Sequence, residues 1–324
     1  LAGSYLVNER SSHCENGRVC ESDFADGFLA PRESSCYPAA MARQPRIAVV
    51  GPGRLGTAMA IELRHAGYRL SEIVSRSSPD SRRKARDLAQ RVHAAKTTTL
   101  GATLSAGLVW ICVPDREIGG VARQLARSPD WKGKTVFHSS GALASDELGV
   151  LRRRGAAVAS IHPMMTFVYG SIPALEGVPF ALEGDAAAVR LARRIVRNLR
   201  GEPFSMSRHK KVLYHAWGGF TSPLLIALLV TAERVAQAAG ISTTGARKKM
   251  LPIVRQTLAN YARLGPAGAF SGPIVRGDAA VVRQHLQELK KIPGAREVYV
   301  ALAKAGLRYL PARNRKELEK VLKA

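Results

Sequence analysis

The chain has 324 residues, of which 46% are hydrophobic and 23% charged, and a net charge of +24. That composition excludes a disordered, collagen-like or disulfide-scaffold protein, and a chain this long buries enough surface to fold without disulfides or a metal. The excess of 49 basic over 25 acidic residues points to an anionic partner: nucleic acid, anionic lipid or a phosphorylated small molecule.

Residues 1–41 read as an appendage. They lack periodicity, hold Cys14, Cys20 and Cys36, and carry six acidic against three basic residues. A basic start followed by an apolar stretch is missing, so no secretory signal is expected here. The cysteines lack zinc-ribbon spacing, so no metal site is expected. Met41 stands just before the first convincing strand, which marks 1–41 as a disordered or non-native extension. The remaining cysteine, Cys112, lies in an apolar strand and fits a reducing, cytoplasmic location.

Arg46–Val50 is a short apolar run bounded by glycine and reads as a buried strand. Gly51-Pro52-Gly53-Arg54-Leu55-Gly56 follows it and opens an amphipathic helix from Arg54 to about His65. Alone, G-x-G-x-x-G arises by chance. Between a strand and a helix it is a dinucleotide-binding fingerprint. Gly51 makes the tight turn, Gly53 lets the backbone approach a pyrophosphate, and Gly56 lets the helix pack close to the strand. The phosphate would sit at the helix N-terminus, where free N–H groups and the dipole favour negative charge. The alternative is a plain glycine turn.

The second strand, Leu70–Val74, ends in Ser75-Arg76-Ser77. An NAD site offers a carboxylate at this end for the ribose hydroxyls. Arg76 instead matches a 2′-phosphate through its planar fork, so NADP is favoured over NAD. Glu72 stands at the strand's start and is expected to point elsewhere. In the other reading Arg76 is simply solvated.

Asp80–Val92 is a charged helix. Leu108–Val113 is a strand stopped by Pro114, and Val113-Pro114-Asp115 is expected to pack along the cofactor without chemistry. Thr135–His138 is a strand ending in His138-Ser139-Ser140-Gly141, and Ala157–Ile161 one ending in His162-Pro163-Met164. Ligands of such sheets bind outside the carboxyl ends of the strands. His138, Ser140 and Gly141 are therefore expected to contact the cofactor, and Ser139 and His162 to lie near the nicotinamide. His162 is the candidate to exchange a proton, because histidine titrates near neutrality. Alternatively each histidine is a satisfied structural group at a strand end. Pro179–Leu182 is a further strand and Ala186–Leu199 a helix. The expected class is α/β: a Rossmann-type, doubly wound, mostly parallel sheet over 42–206, followed by an all-α domain over 207–324.

From Arg208 strand signals stop. Lys210–Gly240, Thr244–Leu264, Asp278–Lys291 and Ala295–Tyr309 read as helices, with Gly240 closing the first and Asp278 capping the third. Ala216–Ala232 is uncharged but shorter than the roughly 20 residues of a membrane span. It reads as a buried core helix, and no membrane partner is expected. Lys211, His215 and Ser222 fall near one helical face. Lys211 is the candidate general acid if burial lowers its pKa, with His215 as a second candidate and Ser222 as a substrate contact. The alternative is a basic, solvated helix start. Tyr214 reads as core. In the joint Ser271–Asp278, Arg276 is a candidate anchor for an anionic substrate, or belongs to the cap at Asp278.

The glycine loop, His138-Ser-Ser-Gly141, His162-Pro-Met, Tyr214-His215 and Gly272-Pro273…Arg276-Gly277-Asp278 are recognisable together. From about Arg46 to Tyr309 the chain resembles bacterial oxidoreductases that join a Rossmann-like NADP-binding domain to a C-terminal helical domain of unknown function. The group is similar to the 6-phosphogluconate-dehydrogenase-like superfamily, near pyrroline-5-carboxylate reductase and prephenate dehydrogenase. The resemblance implies a homodimer formed through the helical domain and a site at the domain interface. It delivers no substrate. The serine of the long helix is commonly followed in such proteins by Asn, whereas here Ser222 is followed by Pro223, which supplies no amide and breaks a helical hydrogen bond.

The combined reading is an NADP-dependent oxidoreductase that transfers hydride between nicotinamide and a small carbonyl, imine or hydroxy compound, with an anionic group on that substrate allowed for. The competing reading is a non-catalytic NADP-binding sensor on the same scaffold. Nucleic-acid binding is set aside, because aromatics are only 6% and no base-reading motif is present.

Overall fold

A computed structural model describes residues 44–323; the expectation for 1–41 lies outside the described residues. The first part alternates strand and helix: β1 (Ile47–Val50), α1 (Arg54–His65), β2 (Leu70–Ser75), α2 (Pro79–Arg91), β3 (Lys96–Thr99), β4 (Leu108–Ile111), α3 (Asp115–Leu125), β5 (Thr135–His138), α4 (Gly149–Arg152), β6 (Ala157–Pro163), β7 (Pro179–Gly184), α5 (Ala186–Asn198) and β8 (Glu202–Ser205). The eight strands form one sheet in the order β3-β2-β1-β4-β5-β6-β7-β8. All neighbours are parallel except β6 and β7.

The two-residue period of a strand divides the core. Ile47, Val49, Trp110, Phe137 and Ile161 face α1, α2 and α5 through Met59, Leu63, Leu88 and Ile195. Ala48, Val50, Val109, Val136 and Val158 face α3 and α4 through Ile118, Leu125 and Leu151. With helices on both faces, every residue of β1, β2 and β4 is buried, which is why β1 and β4 are continuous apolar runs.

Two strands escape the sequence pattern, and both are edges. β3 is Lys-Thr-Thr-Thr and at least partly exposed throughout. β8 contains Pro203, a residue tolerated at a sheet edge, where its missing N–H costs no ladder bond.

The second part is helical: α6 (Lys211–Thr221), α7 (Pro223–Ala238), α8 (Thr243–Ala269), α9 (Pro273–Arg276), α10 (Ala279–Leu289), α11 (Ala295–Tyr309) and α12 (Arg315–Val321). The single helix expected over Lys210–Gly240 is two helices. Ser222 leaves helical space at φ −129 and ψ −78, because the ring of Pro223 disfavours the α region for the residue before it. The same effect acts at Gly265 (φ 71, ψ 176), just before Pro266, where α8 is interrupted. A small core of Val282, Leu286, Leu307, Leu318 and Val321 ties α10, α11 and α12 together. Asp278 precedes α10 without capping it through its side chain. Its carboxylate instead accepts from Nε of Arg276 at 2.8 Å.

The buried core helix expected at Ala216–Ala232 is corrected within one chain. Trp217, Phe220, Leu224 and Ile226 are exposed, as are Ile253, Leu258 and Tyr261 on α8. The segment Arg208–Ala238 is long and apolar enough by composition to cross a membrane. The break at Ser222 leaves α6 and α7 with rises of roughly 16 and 24 Å, each short of a bilayer core of about 30 Å.

Candidate functional site

The sheet order reverses between β1 and β4, and the glycine loop lies at that switch point. Gly51 has φ +98, and a Cβ there would meet the Cys112 carbonyl oxygen at 2.6 Å. A Cβ on Gly56 would lie 2.0 Å from the Gly51 oxygen. These two glycines wedge α1 against the sheet. Gly53 differs: a Cβ there meets nothing within 4 Å, and no side chain caps α1. The N–H groups and positive dipole end of a 12-residue helix therefore face open space, an arrangement suited to an anion. Pro52 and Leu55 are half-buried beside it, and Arg54 is exposed as the first residue of α1.

At the end of β2, Ser75 is buried and its hydroxyl donates to the Arg76 carbonyl. Arg76 and Ser77 are exposed. The Arg76 backbone N–H donates to Ser81 Oγ, while its guanidinium has no hydrogen bond or ion pair among the described residues. Glu72 is fully buried and accepts from Ser71 and from the N–H and hydroxyl of Ser105. Burial opposes its ionisation, but these hydrogen bonds outweigh it and hold the carboxyl below its usual value. Glu72 is a structural clamp.

The turn after β5 corrects two expectations. His138 is fully buried, its Nε2–H donates to the Ala144 carbonyl at 3.0 Å and its Nδ1 accepts from the Ser140 N–H at 3.1 Å. Both ring nitrogens are consumed by the turn, so the side chain is not available to a cofactor. Ser139 turns into the sheet, where Trp110 Nε1–H donates to its hydroxyl at 2.8 Å. It also contacts Cys112, whose thiol burial pushes up to about 12. A catalytic role for Ser139 is thus replaced by a structural one. Ser140 shapes the turn: its hydroxyl donates to Asp115 at 2.7 Å and accepts from the Ala142 and Leu143 N–H groups. Through Ser140 the turn is tied to the exposed end of Val113-Pro114-Asp115.

Gly141 is where the two parts of the chain meet. A Cβ on it would lie 2.9 Å from Nε2 of His162 and 2.5 Å from Cδ2 of His215. The β5 turn, the β6 end and α6 converge there. His162 Nδ1 lies 2.8 Å from the Tyr214 hydroxyl, and the His162 ring meets those of Tyr214 and His215 edge-on at 5.4 and 5.9 Å. Tyr214 is also packed on Phe204 and Trp217, and burial pushes its phenol up to about 12. In the tautomer where that phenol donates to Nδ1, the His162 proton resides on Nε2, facing Gly141.

Lys211 and His215, four apart on α6, address the same turn. Lys211 is fully buried. Its ammonium donates to the Ser140 carbonyl at 3.0 Å and to the Ser160 hydroxyl at 2.8 Å. Burial brings it down to about 8, against the opposing pull of Glu183 and Asp115. The expectation that Lys211 faces a substrate is corrected: its ammonium is spent beneath the turn. Burial first, then the Lys211 charge and His215, bring His162 down to about 4. The expected near-neutral histidine is therefore a neutral hydrogen-bond donor at pH 7. Ser222 stands at the α6–α7 break, and no side-chain hydrogen bond links it to this cluster. Arg276 is exposed and paired with Asp278.

Tyr214 is the residue that sequence reasoning assigned to the core alone. Its position between Lys211 and His215 was a usable signal, but a tyrosine on a helix face becomes a partner of His162 only once β6 is placed against α6.

A mostly parallel sheet with a glycine cradle at its switch point, followed by a helical bundle that reaches the strand ends, defines a Rossmann-type two-part protein. Family models agree: residues 30–163 match a Rossmann-like domain and residues 178–305 a domain of unknown function, DUF2520. The chain thus joins a Rossmann-like domain to this C-terminal domain of unknown function, the pairing that the resemblance implied. A search of curated protein sequences finds no match. Among solved structures, a Bacteroides fragilis protein provisionally named an NADP oxidoreductase is 22% identical with a TM-score of 0.67, covering 81% of this chain and 97% of its own. A Thermotoga maritima protein is 25% identical with a TM-score of 0.63, covering 86% and 98%. A reductive aminase from Aspergillus terreus, in complex with NADPH and ethyl-5-oxohexanoate, is 18% identical with a TM-score of 0.59, covering 82% and 94%. These likenesses show a shared fold over both parts.

Proposed function

We propose that this protein is an NADP-dependent oxidoreductase that transfers hydride between nicotinamide and a small carbonyl, imine or hydroxy compound. The observation that carries the reading is the open space at Gly53, bounded by the uncapped N-terminus of α1. The cradle and the His162 cluster share the carboxyl edge of the sheet, β1 and β6 being three strand spacings, roughly 14 Å, apart. A dinucleotide laid along that edge joins them. The fold shared with an NADPH-bound reductive aminase supports the same reading.

The donor set fits such a cofactor. The α1 N-terminus would hold the pyrophosphate, and Arg76 the 2′-phosphate, for which its guanidinium is free. When bound, NADPH would supply the hydride chemistry. The chain's own groups orient and polarise: neutral His162 offers Nε2–H beside Gly141, and His215 stands next to it. Lys211 fixes the turn that carries Gly141 and keeps the cluster's potential positive, which suits a carbonyl or carboxylate oxygen. A domain boundary near 206 belongs to this proposal, since β8 ends at Ser205 and the helical part begins at Arg208.

A homodimer is also proposed, because α6, α7 and α8 expose large apolar side chains of the kind that a protein interface covers. A sedimentation mass of one chain at micromolar concentration overturns the dimer. The cytoplasmic placement rests on the free, buried Cys112.

Arg76→Ala is expected to weaken NADPH binding by about ten- to a hundredfold, the worth of a charge-assisted pair, with little effect on NADH. Titration of cofactor fluorescence reads both, and equal losses remove Arg76 from the site. The activity itself is tested by screening carbonyl and imine acids for NADPH oxidation. Tight NADPH binding with no turnover on a broad panel would favour the sensor reading instead.

A further inference from the structure

Between β6 and β7 the chain leaves the sheet over residues 164–178. Both ends of this excursion are held. The Met164 N–H donates to the Pro179 carbonyl and the Val178 N–H to the Leu175 carbonyl, and Phe167 and Leu175 pack on the first core. Between these anchors, from Thr166 to Ala174, the chain forms no strand or helix, only a turn at Tyr169–Gly170. Met165, Val168, Tyr169 and Ile172 nevertheless project apolar surface into solvent, Tyr169 at 83% exposure.

The segment does not stay beside β6. The Tyr169 ring lies over the Arg54 guanidinium, 5.3 Å from its centroid, and Arg54 is the first residue of α1, beyond β1. Since β4 and β5 stand between β1 and β6, the contact between Tyr169 and Arg54 spans their carboxyl ends.

We propose that residues 166–174 form a strap over the bound dinucleotide, with Tyr169 as its contact residue, closing beside Arg54 above the pyrophosphate on α1. This rests on the nucleotide-binding reading given above. The strap has few backbone bonds to break, so it opens at low cost. Its apolar side chains gain cover when a ligand fills the space beneath them, and Gly170, at φ +76, provides a turn that a side chain would strain.

The test is the NADPH dissociation rate and Kd of the full chain, by stopped-flow and equilibrium cofactor fluorescence, for Tyr169→Ala and Tyr169→Phe. Tyr169→Ala is expected to raise both by about tenfold, while Tyr169→Phe, which keeps the ring, stays within about twofold. A rise below about threefold in Tyr169→Ala overturns the strap. Because Tyr169 is exposed, the melting temperature should not move, and it is checked alongside. An independent readout is chymotrypsin cleavage after Phe167 and Tyr169 in the wild-type chain, which saturating NADPH is expected to slow. Unchanged cleavage with NADPH shown to be bound overturns the strap alone. Failure of the wild-type chain to bind NADPH overturns the nucleotide reading, and the strap with it.

Discussion

Gly53→Ala is expected to lower NADPH affinity by on the order of a hundredfold while leaving the fold's stability unchanged. A Cβ at Gly53 meets no protein atom within 4 Å, and its φ of −86 suits any residue. Nothing in the chain resists the methyl group, so whatever it displaces belongs to the ligand. One or two hydrogen bonds to a charged phosphate, each worth about 1.5–3 kcal/mol, account for the size of the loss. Gly56→Ala is the contrasting case. Its Cβ would lie 2.0 Å from the Gly51 oxygen and 3.2 Å from Cys112 Cβ. Both neighbours are fixed in the turn and the sheet, so α1 must move, at a cost of about 1–3 kcal/mol or more. Gly56→Ala is therefore expected to lower both the melting temperature and the affinity. Thermal melts beside cofactor titrations separate the two variants. Wild-type affinity in Gly53→Ala would mean that the open space is not the pyrophosphate's.

Stability is expected to fall steeply as pH drops from about 6.5 to about 4. Burial brings His138 down from 6.5 to about 4, against the help of its bond to Ala144 and with a smaller push from the Lys211 charge. His162 is brought down to about the same value. In the unfolded chain these rings take protons near 6.5, whereas in the folded chain they do so only near 4. The unfolded state thus binds more protons throughout that window, and acid favours it. For His138, whose ring is fully buried, the difference amounts to about 3 kcal/mol. His162 is partly open to solvent and contributes less. A loss of this size is a large part of a typical total of about 5–15 kcal/mol. Urea unfolding at pH 7 and pH 4.5 measures it, and His138→Gln is expected to flatten the difference. An identical pH dependence in that variant would refute the assignment. Lys211 acts on the alkaline side with the same sign. Its folded value of about 8 lies below the usual 10.5, so its contribution rises as pH climbs from 8 toward 10.5.

Much of the fold could be read from local pattern. β1, the glycine loop and α1 are contiguous, and each is specified by neighbours in sequence: an apolar run, a turn that needs glycine, then an amphipathic helix. The strands at Thr135 and Ala157 and the helix at Ala186 follow the same logic. The break before Pro223 is also local, because proline restricts the residue before it. The edge strands β3 and β8 were not legible. An edge buries little, so it needs no apolar run, and only its pairing with β2 or β7 makes it a strand.

The candidate site divides along the same line. The cradle could be read from local sequence, because the positive φ of Gly51 and the close approaches at Gly51 and Gly56 are demands on single residues. It also placed His138 and His162 at strand ends. What those residues do was set by packing between distant segments. His138 became a staple for its own turn, and Ser139 a partner of Trp110. Lys211 was buried under the Ser140 carbonyl, and Tyr214 was carried from the core assignment to the side of His162. The reason is physical: a side chain's partners and its pKa depend on what other segments bring within a few ångströms and on how much water they exclude. Neither quantity exists until α6 is packed against the ends of β5 and β6.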